Sequence, residues 1–418
     1  MNKTIMNRGA NSDSIPTDLI YEILSRLSVK PITRFRCVSK LWESIICRQD
    51  FTELFHNRSS SNPRLLIGVI QGGEWNFFSS PQPQNHYGKS SLVVAADSHM
   101  KFSEDKRPRY YSYASGLLYF PNIRISNHND DVVRVICNPS TGQYAILPPD
   151  LRTRYRDSGG FLGFDPIGKQ FKVLVFNRRV DDELVYHILT LGTENVRWRE
   201  IICPFTYGHY GFSWEHICIN GVLYYIAKDP NDMMVCFDVR SEKFKLLHLA
   251  PSFVRFWSTI LINYKNKLGV INLEDDYDGG YLLKLRMFVL EDFEKQKWTT
   301  YVHTLRDENK IKDNDNVYVV GATASGQIVL ARNKAYKPFY VFYFNPEKST
   351  VQSVEIQGVR EEEDWCHRVY YFVDHVEDLR FDVMKTTYAA TSIRPAEQNT
   401  STSSREDHLV RTVKRKRA

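Results

Sequence analysis

No apolar run in this chain of 418 residues approaches the length of about 20 that spans a bilayer, so no membrane contact is expected. Residues Met1 to Asn11 hold no apolar stretch of the kind a secretory leader needs. Cysteine is scarce: there are seven, an odd number, with no Cys-x-x-Cys pair. Most lie in apolar runs, as Cys137 does after Val135-Ile136 and Cys236 between Val235 and Phe237. That placement points to buried free thiols in a reducing compartment, where the Asn-x-Ser/Thr triplets at Asn57 and Asn399 carry no meaning. The twelve histidines include no His-Glu-x-x-His and no pair at metal spacing, so neither a metal nor another cofactor is expected. Gly159-Gly160-Phe161-Leu162-Gly163 lacks the Lys-Ser/Thr of a phosphate loop and reads as a turn opening a strand. The lone histidine of Gly208-His209-Tyr210-Gly211 reads as a surface contact, and the acidic run Glu361 to Asp364 as solvated loop charge. No catalytic residue is assigned.

Charge of one sign is also missing from the body of the chain. The net +6 comes from the ends: +3 from residues 1–60 and +4 from residues 394–418. The remainder carries 39 Lys/Arg against 40 Asp/Glu, which leaves no nucleic-acid footprint. A hydrophobic content of 42% with 13% aromatics supports a sizeable core, and the length fits a small module followed by a larger one.

What is present is organised in two parts. In residues 15–51, Leu19, Ile20, Ile23, Leu24 and Leu27 form a broad apolar stripe on one helix that starts at Pro16. Pro31 opens a second helix with Ile32 and Phe35, and Ser39 caps a third with Leu41, Trp42, Ile45 and Ile46. Three short helices are too few to close a core alone, so part of this apolar surface is expected to stay open for a partner.

Beyond them runs an internal repeat. β-type runs turn over at Asn138, Leu191, Asp238, Leu290 and Asn345, and earlier strands open near Gly116, Gly168, Gly221 and Gly326. The period of about 50 residues, with about four strands per unit, is that of a propeller blade. Five blades are predicted at about 110–150, 160–203, 212–250, 256–302 and 314–357. Leu65 to Val69, Phe77-Phe78 and Tyr370 to Val373 would pair as a sixth blade built from both ends of the domain. A twisted β-sandwich also accommodates regular short strands.

The first part resembles the F-box, the module that docks a protein onto a Skp-family adaptor of a cullin-RING ubiquitin ligase. Pro16, Asp18, Leu19, Glu22, Ile23, Leu24, Arg26, Leu27, Lys30, Arg34, Phe35, Arg36, Val38, Ser39, Lys40 and Trp42 fall on its pattern in register. Ile15 and Ile32 replace its usual leucines and Ser28 its second proline. The second part is similar to the F-box-associated domain of a large plant group, related in shape to kelch-type propellers. Ala114 to Leu118, Cys137 to Gly142, Leu147 to Pro149, Gly163 to Pro166 and Phe171 to Leu174 carry that likeness. The fold expected is therefore a small all-α F-box of about three helices over residues 14–56, then an all-β propeller-like domain over residues 62–380. Residues 1–13 and the basic tail 386–418 are expected to be disordered.

The resemblance implies a non-catalytic substrate receptor that bridges the adaptor, and through it cullin and RING subunits, to a protein substrate. Adaptor contacts would come from Ile15, Pro16, Leu19, Ile23, Leu24, Leu27, Lys30, Val38, Leu41 and Trp42. A scaffold acting outside ubiquitin ligation is a second reading, and a propeller enzyme that would need a bound metal is a third. Connections leaving the blades at one phase of the repeat would share a face, and loops on a rigid scaffold are the usual place of recognition. They carry Arg152, Arg154, Arg156, Tyr207, His209, Tyr210, Phe253, Arg255 and Trp257, of residue types enriched at interface hot spots. Surface charge and buried packing are the plainer accounts of the same residues. Lys414 to Arg417 read as a nuclear-import signal or a solubilising end, which puts the protein in cytoplasm, nucleus or both.

Overall fold

Pro16 starts the first helix with φ at −54°, and its carbonyl accepts the N–H groups of Leu19 at 3.0 Å and Ile20 at 3.1 Å. In this computed structural model α1 spans Thr17–Leu24, α2 Val29–Phe35, α3 Lys40–Ile46 and α4 Gln49–Ser61. The structure describes residues 15–71, 74–83, 91–103, 110–124, 132–149, 158–178, 184–193, 196–205, 212–227, 233–249, 259–276, 282–305, 317–332, 338–359 and 368–386. Ser39 caps α3 as its position predicts, its hydroxyl accepting the Trp42 N–H at 3.2 Å. The fourth helix exceeds the expected three. Its thirteen residues are mostly polar, and among its apolar side chains only Phe51 and Phe55, one turn apart, are buried, so no broad apolar stripe announces it. These two close a core with Ile20, Leu24, Val29, Ile32, Ile45 and Ile46.

After the helices come β1 (Arg64–Gln71), β2 (Glu74–Pro81), β3 (Ser91–Ala95) and β4 (Asp97–Ser103). The second blade is β5 (Ser112–Ala114), β6 (Leu117–Arg124), β7 (Val132–Asn138) and β8 (Gln143–Ile146). The third is β9 (Ser158–Asp165), β10 (Gln170–Arg178), β11 (Leu184–Thr190) and β12 (Arg199–Ile201). The fourth is β13 (Phe212–Ile219), β14 (Val222–Ala227), β15 (Met233–Asp238) and β16 (Lys243–His248). The fifth is β17 (Thr259–Tyr264), β18 (Lys267–Asp276), β19 (Leu282–Asp292) and β20 (Lys297–Leu305). The sixth is β21 (Val317–Ala322), β22 (Ile328–Arg332), β23 (Tyr340–Asn345) and β24 (Thr350–Gln357). Last comes β25 (Val369–His375), which pairs antiparallel with β1 and completes the first blade in the order β25-β1-β2-β4. This is the composite blade that the sequence predicts. An unforeseen second closure is β3, which leaves the first blade and lies parallel to β24, from Ser91 opposite Ser353 to Ala95 opposite Gln357.

Six apolar clusters fill the seams between successive blades and join the last blade to the first, so the sheets form a closed ring and not a sandwich. The period has a local cause. At the third-to-fourth strand turn, a side-chain carboxylate or amide oxygen caps backbone N–H groups. Asn138 Oδ1 accepts from Ser140 and Thr141, Asp238 Oδ1 from Ser241, Asp292 Oδ1 from Lys295, and Asn345 Oδ1 from Glu347 and Lys348. At the first-to-second turn, Ser115-Gly116 and Asn220-Gly221 both have positive φ, the two-residue hairpin that glycine makes easy. Lys265-Asn266 does the same in the fifth blade, which explains why no glycine marks that turn.

Four antiparallel strands return the chain to the face from which it started. The turns at residues 115–116, 139–142, 166–169, 220–221, 239–242, 265–266, 293–296 and 346–349, which join the first strand of a blade to the second or the third to the fourth, therefore lie on one face of the ring. The connections that lead from one blade to the next leave from the opposite face. The helices pack on the turn face: Lys30 Nζ donates to Ser98 O at 2.7 Å, and Lys169 Nζ lies 3.2 Å from Glu53 Oε1.

Candidate functional site

The helical module buries one side and leaves the other open. Leu19 and Ile23, four apart, share the outer face of α1, with Ile15 exposed just ahead of the helix, while Ile20 and Leu24 share the inner face. Ile23 is 50% exposed and Leu24 fully buried, although they are neighbours in sequence. Val38, at 63%, and Leu41, at 55%, are exposed between α2 and α3. These large apolar side chains, half in water, form an exposed apolar patch on the small module. Arg34, Arg36 and Lys40 are exposed beside them, whereas Arg26 and Arg58 are spent on the Glu22 carboxylate. Hydrogen bonds from Arg58 and then Arg26 hold that carboxyl below its ordinary value.

Of the ten adaptor-contact residues expected, Ile15, Pro16, Leu19, Ile23, Val38 and Leu41 are exposed. Leu27 and Trp42 are half-buried, Trp42 with its ring 4.9 Å from Phe35. Two face elsewhere. Leu24 belongs to the core of the module, because a stripe at positions 19, 20, 23, 24 and 27 is wide enough to cover two faces of α1. Lys30 reaches the ring, its Nζ bonded at the surface to Ser98 O. Arg152, Arg154, Arg156, Tyr207, His209, Tyr210, Phe253, Arg255 and Trp257 lie outside the described residues, as do residues 1–13 and the tail with Lys414 to Arg417. The strands that flank these nine end and begin on the face opposite the helices.

Among the described residues, no group of three or more His, Cys, Asp or Glu could hold a metal, and no helix is long and apolar enough to cross a membrane. Cys37 and Cys47 are exposed, while Cys137 and Cys236 are buried, and burial pushes both of these thiols well up.

Comparison with known proteins decides the family. The F-box domain model matches residues 12–54, and the model described as the F-box associated beta propeller domain matches residues 64–376. The chain belongs to the F-box proteins with an associated β-propeller. The Arabidopsis thaliana F-box relative At1g31090 is 74% identical over 413 residues, covering 99% of this chain and 100% of its own. F-box protein At1g31080 of the same plant is 55% identical, covering 98% and 93%. Among solved structures, the β-propeller domain of the Trilobed protease from Pyrococcus furiosus aligns at a TM-score of 0.34 and 12% identity, covering 59% of this chain and 72% of that one.

The seam between F-box and propeller is the part that sequence reasoning missed. Glu377 Oε2 accepts the Val29 N–H at the start of α2, at 3.1 Å, and the Glu377 N–H donates to Ser59 Oγ at 2.9 Å. Burial holds the Glu377 carboxyl above its ordinary value against the pull of Arg64. Burial would raise Asp378 too, but His56 and Arg380 beside it overcome that and hold its carboxyl well below the carboxylate range. Two histidines lie beneath. His99 Nε2 is 2.7 Å from Ser79 Oγ, and His375 sits between Tyr113 Oη at 3.0 Å and Ser140 Oγ at 2.8 Å. Burial lowers them, His99 to about 4 and His375 to about 3, so both are neutral. No motif marks these residues, because each is a single polar side chain whose partners lie far away in sequence.

Proposed function

We propose that this protein is the substrate-receptor subunit of a Skp-cullin-F-box ubiquitin ligase. The observation that carries the reading is the open apolar face of the F-box, formed by Ile15, Leu19, Ile23, Val38 and Leu41, which the propeller does not cover. A Skp-family adaptor would cover it, with Arg34, Arg36 and Lys40 at the rim favouring an acidic border on that partner. The blade-to-blade connections leave from the other face, so adaptor and substrate would be held on opposite sides of a rigid ring. The chain itself would perform no chemistry. Its contribution would be proximity: a substrate lysine held near a ubiquitin-loaded enzyme reacts at a raised effective concentration.

Co-purification with a Skp-family adaptor tests this directly. Full-length protein should capture the adaptor, and Leu19→Asp with Ile23→Asp should lose it while the propeller stays folded. Unchanged capture by that variant would remove the basis of the proposal. Charge reversal of Arg152, Arg154 and Arg156 should leave adaptor capture intact and weaken substrate capture, with stabilised ubiquitin conjugates as the readout.

A further inference from the structure

Two attachments of the F-box to the propeller lie on the closure of the ring. On one side α4 runs through Asn62-Pro63 directly into β1. On the other, the chain leaves β25 at His375 and continues across the turn face to Thr386. The same two strands pair with each other, from Val69 opposite Val369 to Arg64 opposite His375, and that pairing shuts the ring.

The segment from Val376 to Thr386 grips both bodies. Toward the F-box, Glu377 binds α2 and α4 as described, His56 Nδ1 lies 3.4 Å from Asp378 Oδ2, and Leu379 packs against the F-box core. Toward the propeller, Asn138 Nδ2 donates to Asp378 O at 3.2 Å, the Phe381 ring centre lies 4.9 Å from that of Phe171, and Val383 is fully buried between the second and third blades. Among the described residues, the polar contacts of Lys30 with Ser98 and of Lys169 with Glu53, outside this segment, sit at the surface, where such contacts contribute little. Glu377 and Asp378 follow His375 by two and three residues, so β25 could not part from β1 along its length without drawing both off the F-box, whereas Phe381 and Val383, farther along, would stay with the second and third blades.

We infer that residues Val376 to Thr386 form a strap that makes the orientation of the F-box conditional on ring closure. An F-box made first in synthesis is thus fixed in place only when the last strand has joined the first. A receptor with an open or incomplete ring holds its F-box on a loose tether. This concerns orientation only and stands apart from the ligase reading, since neither measurement below contains an adaptor.

The test uses the full chain with spin labels at Glu43→Cys in α3 and Lys295→Cys at the fifth-blade turn, with exposed Cys37 and Cys47 changed to serine. Pulsed electron-spin distance measurement should give one narrow population. Glu377→Ala with His56→Ala should at least double its width while amide exchange in β1 and β25 is unchanged, and Glu377→Gln, which keeps an acceptor for Val29, should stay narrow. In a urea series without strap substitutions, the distribution should broaden no later than the β25 amides exchange. A double variant as narrow as the parent would overturn the inference. So would a narrow distribution at urea concentrations where the β25 amides exchange freely.

Discussion

Ile23 and Leu24 are adjacent in α1, apolar and similar in size, and their substitutions should part company. Leu24 is fully buried among Ile20, Val29, Ile32 and the α3 and α4 side chains. Leu24→Ala removes buried methyl groups and leaves a cavity, a change that costs about 2–5 kcal/mol. In a module this small, that is a large share of its stability. Ile23 is half in water already, so Ile23→Ala should cost the fold about 0.5 kcal/mol or less. Its effect should fall on binding. Covering the exposed half of Ile23 and of Leu19 stabilises a complex by about 1 kcal/mol each, half of what full burial of such a side chain contributes. Leu19→Ala with Ile23→Ala should therefore weaken adaptor affinity roughly thirtyfold. The assays are urea unfolding followed by helical circular dichroism and calorimetric titration with a Skp-family adaptor. Leu24→Ala should move the unfolding midpoint, and Leu19→Ala with Ile23→Ala the affinity alone. Should Leu24→Ala keep its midpoint and lose the adaptor, the division of α1 into inner and outer faces is wrong.

Gly68 sits in β1 where an added Cβ would come within 2.6 Å of Trp75, itself fully buried and stacked on Phe77 at 5.3 Å. Gly68→Ala should cost about 1–3 kcal/mol, read as a lowered urea midpoint of the propeller. His99 and His375 are neutral when folded, so as pH falls below the ordinary 6.5 the unfolded chain takes up protons first. Their contribution is complete above about pH 6.5 and lost toward pH 4 for His99 and toward pH 3 for His375, at roughly 1.4 kcal/mol per pH unit for each, partly offset by Glu377, whose raised value acts in the opposite sense. Urea midpoints at pH 7, 6 and 5 should descend, and a flat series contradicts the burial of both rings. A fluorescent fusion cut after Arg411 should show less nuclear signal than the full chain, and identical images of the two would strip the basic tail of a targeting role.

The elements that repeat, or that carry a cap, could be read from residues alone. Pro16 and Ser39 begin helices where expected, and the turn residues Asn138, Asp238 and Asn345 mark blades because each satisfies backbone N–H groups within three residues of itself. What escaped depends on partners distant in sequence. β3 is apolar enough for any strand, and its parallel place beside β24 follows from ring closure, which no local pattern encodes. In α4 two phenylalanines suffice because the other helices supply the rest of the core. The strap is an irregular run in which Leu379 and Val383 serve different cores, so it has no period to detect.

The two faces of the ring differ in how freely they can change. On the turn face, side chains such as Asp165 and Arg240, joined by two hydrogen bonds of 3.0 Å, tie neighbouring blades together, and substitutions there should couple energetically to one another. The blade-to-blade connections start and finish a full strand length away, beyond the range at which mutational effects usually interact. Specificity and assembly can therefore vary as separate quantities in one molecule. A connection exchanged between two such rings should carry its binding preference with it, while the F-box, its strap and the unfolding midpoint of the recipient stay as they were.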